Sequence, residues 1–208
     1  MTLTLDALER PAAGEPLGTL VLLHGRGAGE HDLYPLLDAI DPERRLRGLT
    51  PGGPLSLPPG GRHWYRLAGI PTPDPDTFWP SFHALSELLD SLQTPLVLGG
   101  FSQGAVMSYA LGLGRGPEKR PAALLPLSGF LPRVDGLELD LGDLAGFPVA
   151  IQHGSLDPVI SVEWSREARD ALTAAGADVV YHEASFPHAL DPAFVPRLRA
   201  VISHVLGG

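Results

Sequence analysis

The sequence predicts an α/β fold with a mostly parallel central sheet covered by helices on both faces. Two observations predict it. Short apolar runs alternate along the chain with stretches of helical periodicity, the order that feeds parallel strands through helical crossovers. The runs themselves are β-branched or continuously apolar, as strands buried on both faces should be. The 25 glycines and 22 prolines fall between these runs as loop punctuation. Apolar residues make up 44% of the 208, enough for a sizeable core. No internal repeat or linker interrupts the pattern, so residues 1–208 read as a single domain.

Taken in order, "TLTLDAL" (residues 2–8) offers an edge strand, and Thr19–Leu23 is the first central strand. Leu46–Thr50 is the next. Residues 50–67, "TPGGPLSLPPGGRHWYRL", form a long irregular loop, and loops of that length in compact domains often serve function. Residues 77–92 place Phe78, Phe82, Leu85, Leu88, Leu89 and Leu92 on one helical face. Pro95–Gly99 is a strand that runs into a helix over Gln103–Leu113. The strands Ala122–Leu127 and Pro148–Gln152 follow. Ser161–Ala175 is a helix with a Ser N-cap and Gly176 at its end. Ala177–His182 is the last strand. The last helix lies within Asp191–Leu206, where Pro192 suits a first turn and Pro196 requires a later start or a kink.

Bulk properties exclude several classes. The net charge is −9 with a pI near 5.2 and no basic stripe, so no nucleic-acid partner is expected. Without cysteine there is no disulfide, no thiolate metal site and no Cys nucleophile. "MTLTLDALERPAAGEP" lacks the basic and apolar regions of a signal peptide, and no apolar run is long enough for a membrane span. A cytoplasmic location is the expectation.

The chemistry centres on "GFSQG", residues 100–104, a G-x-S-x-G pattern between a predicted strand and a predicted helix. That is the setting of a nucleophile elbow, where a tight turn exposes the Ser102 hydroxyl at the carboxyl edge of the sheet. A serine needs a base. Of eight histidines, His188 in "SFPHALDP" lies after the last strand, on the edge where the strand-end loops gather. Asp157, in "HGSLDPVI" after the preceding strand, is the candidate acid, with Asp135 as the alternative and Asp191 read as a helix N-cap. The order Ser102, Asp157, His188 is that of the α/β-hydrolases. The Gly-rich "LLHGRGAGEHDL" fits neither phosphate-loop pattern. It supplies instead one oxyanion donor, the N–H of Arg26, beside the N–H of Gln103. His24 is read as a brace of that loop.

The pieces "LLHGRG", "GGFSQGA", "LSGFLP", "QHGSLDPVI" and "FPHAL" occur in order across nearly the whole chain. With them the sequence resembles the phospholipase/carboxylesterase group of the α/β-hydrolases, which includes the acyl-protein thioesterases. The resemblance implies Ser102 as nucleophile, Asp157 as acid, His188 as base, and Arg26 and Gln103 as oxyanion donors. It departs from the family at Pro187, where glycine is usual before the histidine, and at Arg26, where Leu or Thr often follows the His-Gly pair. The second departure puts a cation at the mouth of the site. The expected activity is hydrolysis of short- to medium-chain carboxylic esters, with thioesters as a further candidate, without metal or cofactor. Leu55, Trp64, Phe101, Phe130, Leu131 and Val159 are the expected substrate-binding residues. The expected partner is a small-molecule ester; the sequence does not give the oligomeric state, and the resemblance makes a homodimer one candidate because family members are often dimers. A catalytically silent binding module is the alternative, opposed by the intact serine, acid and base. Dienelactone hydrolases use a Cys nucleophile, which this chain lacks, and epoxide hydrolases and dehalogenases would place Asp at position 102.

Overall fold

A computed structural model describes residues 5–118, 120–142 and 144–207. Seven strands form one sheet: β1 (Ala7–Arg10), β2 (Thr19–Leu23), β3 (Arg47–Pro51), β6 (Leu96–Phe101), β7 (Ala123–Leu127), β8 (Pro148–Gly154) and β9 (Asp178–Ala184). A separate hairpin joins β4 (Leu55–Leu57) to β5 (Gly61–His63). Helices α1 (Tyr34–Ile40), α2 (Pro75–Asp90), α3 (Gln103–Leu113), α4 (Val162–Ala174) and α5 (Val195–Val205) complete the chain, with a 3₁₀ turn at Pro192–Phe194. The sheet order is β1-β3-β2-β6-β7-β8-β9. Only β1 is antiparallel, pairing with β3 at the edge. This is the α/β-hydrolase fold the sequence implied.

The continuous apolar strands divide their side chains by the two-residue period of a pleated sheet. In β2, Leu20 and Leu22 join one core cluster while Val21 and Leu23 join the other. In β8, Ala150 and its neighbours Val149 and Ile151 split the same way. Helices α1 and α5 cover one face; α2, α3 and α4 cover the other. Each face is therefore closed, which is why the central strands β2, β6 and β7 do not alternate with polar residues.

Several boundaries moved for local reasons. The edge strand begins at Ala7, and residues 2–4 of the expected segment lie outside the described residues. Helix α2 starts at Pro75 because the Asp74 carboxylate accepts the Thr77 N–H at 3.1 Å and Pro75 suits the first turn. The 3₁₀ turn absorbs Pro192, so α5 starts at Val195 and Pro196 sits in its first turn without a kink. Within residues 50–67, expected to be irregular, the β4–β5 hairpin forms. Helix α1 had no counterpart in the sequence reading.

Candidate active site

Parallel strands send their following loops to one edge, and the candidate residues gather there. Ser102 follows β6, the fourth of seven strands and so the middle of the sheet. Its backbone has φ 54° and ψ −116°, a conformation a non-glycine residue adopts only where the surroundings impose it. Here they do. A Cβ on Gly100 would stand 2.4 Å from the Gly104 carbonyl carbon, and one on Gly104 would stand 1.9 Å from the Leu23 oxygen. Only glycine on both sides lets β6, α3 and the end of β2 approach this closely. The Ser102 amide donates to the Leu127 carbonyl at 2.9 Å, fixing the turn to β7.

Asp157 and His188 meet across the ends of β8 and β9. The His188 Nδ1–H donates to Asp157 Oδ2 at 2.5 Å. Asp157 is fully buried as a side chain, and its Oδ1 accepts the N–H groups of Val159 at 2.8 Å and Ile160 at 2.9 Å. Burial pushes its pKa up, but the bonds from Ile160, His188 and Val159 outweigh this and hold it below the ordinary carboxylate value. His188 packs against the Phe101 ring at 4.7 Å between centroids. With Nδ1 engaged, Nε2 is the nitrogen left for chemistry. Asp135, the alternative acid, is exposed, and its backbone carbonyl accepts from the Trp79 indole.

Ser102 and His188 line one cavity of about 400 Å³, together with Arg26 and Gln103. Neither the Arg26 nor the Gln103 backbone N–H has a hydrogen-bond acceptor among the described residues. The loops around them are braced. The Gln103 side chain accepts the Trp64 N–H at 3.1 Å and donates to the Tyr65 carbonyl at 2.8 Å. The Trp64 indole donates to the His24 carbonyl at 2.8 Å. His24 Nε2 accepts the Gly53 N–H at 2.8 Å, so its proton sits on Nδ1, which donates to Gly25 O at 2.7 Å. Burial holds the His24 pKa below the ordinary imidazole value, so the ring is a neutral brace.

Of the expected substrate contacts, Phe130 and Val159 line the cavity. Trp64 is wholly buried beneath the site, Phe101 backs the His188 ring, Leu55 pairs with His63 in the hairpin, and Leu131 packs against the core. Tyr65, Leu67, Ile70 and Ile160 line the cavity without having been anticipated. Tyr65, Leu67 and Ile70 come from the loop before α2, whose path no short-range pattern encodes. Ile160 carried a usable signal, since it follows Asp157 and Val159 in the same motif. Among the described residues no group of acidic or histidine side chains is arranged to hold a metal, and no helix is long and apolar enough to cross a membrane.

The chain matches the model of the Phospholipase/Carboxylesterase family over residues 10–206. MhqD of Bacillus subtilis (strain 168) is 31% identical over 167 residues, which cover 76% of this chain and 78% of that protein. The solved Bacillus cereus carboxylesterase is 26% identical with a TM-score of 0.81, covering 97% of this chain and 94% of the other. Acyl-protein thioesterase 2 of Zea mays has a TM-score of 0.78 at 22% identity, covering 97% and 99%, a likeness of fold.

Proposed function

The chain belongs to the phospholipase/carboxylesterase family, and from that premise we propose that it is a serine carboxylesterase with Ser102 as nucleophile, His188 as base and Asp157 as the group that orients it. The observation that supports this best is the strained Ser102 turn, which opens onto the same cavity as an imidazole already held by a buried carboxylate.

In this reading His188 Nε2 takes the Ser102 proton as the oxygen attacks the acyl carbonyl. The oxyanion forms against the free N–H groups of Arg26 and Gln103, where one such donor is worth about 10²- to 10³-fold in kcat. The imidazolium that forms is stabilised by Asp157 and then gives its proton to the leaving alcohol. Water enters, and the same base activates it against the acyl-enzyme. A thiol leaving group fits the same steps, so acyl thioesters fall within the proposed range. The cavity is of the size of small-molecule sites, roughly 300–1,000 Å³. Its apolar side chains, Phe130 and Val159 among them, suit a short or medium acyl chain.

The test is direct. A fluorophosphonate should label Ser102, and Ser102→Ala should lose that label and lower kcat on p-nitrophenyl butyrate by roughly 10⁴- to 10⁶-fold. Near-normal turnover by the pure variant would remove Ser102 from the reaction.

A further inference from the structure

Resting on the reading of Ser102 as nucleophile, we propose that the site is built for esters that carry a second, ionised acid group, and that the Arg26 guanidinium receives it. Arg26 lines the cavity beside Ser102, Gln103 and His188, and among the described residues no Asp or Glu lines it. The remaining walls are largely apolar, with Tyr65, Phe130 and Ile160 among them. Arg26 itself is exposed, so its guanidinium stands at the mouth of these walls, where an entering anion meets it.

Among the described residues the guanidinium is also without an ion-pair partner. The chain has nine more acidic than basic residues. Among the described residues nine arginines pair with a carboxylate. Arg26 makes no ion pair or side-chain hydrogen bond among the described residues. The acid closest in sequence, Glu30, is taken by Arg62, whose Nε lies 3.6 Å from it and whose other end bonds Asp6 at 2.9 Å.

The loop that carries Arg26 is fixed. The Gly27 N–H donates to the Arg62 carbonyl at 2.8 Å, and the Arg62 N–H donates to the Ala28 carbonyl at 2.7 Å. Strand β5 thus holds the backbone next to Arg26 while its side chain stays free at the cavity. A guanidinium presents paired N–H donors that match a carboxylate edge to edge. The arrangement is a largely apolar pocket with, among the described residues, one unpaired guanidinium at its mouth.

Two ester pairs test this, each an acid and its neutral methyl ester. p-Nitrophenyl hydrogen suberate and its methyl ester place the anion on the acyl side. 4-Acetoxybenzoate and methyl 4-acetoxybenzoate place it on the leaving group. The wild type should favour the acid in at least one pair, by kcat/KM. Arg26→Gln and Arg26→Met should lower that acid-to-neutral ratio by roughly tenfold, through KM, with thermal midpoints confirming that they fold. The pair that responds shows which side of the scissile bond faces Arg26. A ratio equal in wild type and both variants, for both pairs, overturns the proposal. Failure of the wild type to hydrolyse any of the four esters, or hydrolysis that survives Ser102→Ala, is a different result. It overturns the esterase reading, and this proposal with it.

Discussion

Asp157 divides its two oxygens between two tasks. Oδ1 accepts two N–H groups of its own loop, which fixes the plane of the carboxylate. Oδ2 accepts the His188 Nδ1–H and lies 3.3 Å from Nε2 of the fully buried His153. The His153 Nε2 also lies 2.9 Å from the Ile160 carbonyl, so this second ring ties the acid's loop together from beneath. The net effect keeps Asp157 ionised, which is what an imidazole gaining a proton requires of its neighbour. Asp157→Asn would preserve the shape and lose the charge, and its amide N–H would favour the wrong tautomer of His188. We expect kcat to fall by about 10³- to 10⁴-fold. Asp135→Asn should stay near wild type, since Asp135 is exposed and away from the imidazole's hydrogen bond. Steady-state kinetics of both variants on p-nitrophenyl butyrate decide the matter. Exchanged results would move the acid to the loop after β7.

Among the elements, the loop after β9 depends on one buried side chain of its neighbour strand. Gln152 of β8 donates to the Ala189 carbonyl at 3.0 Å and accepts the Asp191 N–H at 2.9 Å. On the other side of His188, the Leu156 N–H donates to the Phe186 carbonyl at 3.2 Å. Pro187, with its fixed φ, sits between these anchors where the family usually has glycine. Gln152→Leu would leave two backbone groups without partners. At about 1–3 kcal/mol each, the loss of stability should be roughly 2–6 kcal/mol, read from the urea midpoint. Displacement of His188 should lower kcat by about 10- to 100-fold with a smaller change in KM. Lost stability with kcat intact would mean that the Phe186 side alone sets the histidine. What the sequence made legible follows the same division. Strands β2, β6, β7 and β8 were legible because they are buried on both faces and so written as apolar runs. The nucleophile, acid and base candidates could be picked out because each follows a strand within a few residues and has Gly or Pro within two positions. Helix α1 was not, because seven residues with only Leu37 and Ile40 buried give too few periods to recognise. The β4–β5 hairpin was hidden by strands of three residues in a Gly/Pro-rich stretch. The roles of Trp64 and Gln103 as braces depend on how distant loops meet, which spacing along the chain does not record.

At the scale of the whole molecule, the edge that carries the candidate site rests on buried histidines held neutral. His24 lies under the loop that carries Arg26, His63 at the end of the hairpin and His153 under Asp157. All three are less than a tenth exposed, and burial holds each pKa below the ordinary imidazole value near 6.5. The unfolded chain binds protons at these sites as pH falls through about 6.5, whereas the folded chain resists until its lower pKa is reached. Between those limits the unfolded state binds more protons, so stability must fall with acid. Each histidine contributes at most about 1.4 kcal/mol per pH unit, and the three together roughly 4 at the steepest. The lowered carboxylates act in the same direction but later. Asp157 and Glu183 contribute stability that is present above about pH 4 and lost below it. Against a total of about 5–15 kcal/mol for a domain, the histidine stage alone is large. The urea midpoint should therefore decline between pH 7.5 and 5, before carboxylates protonate, and His153→Gln should flatten that slope relative to its own value at pH 7.5. A midpoint constant from pH 7.5 to 5 and falling only below about 4 would assign the acid sensitivity to carboxylates alone. It would also mean that the folded protein takes up protons at these three rings as readily as the unfolded chain does, which their enclosure at this edge opposes.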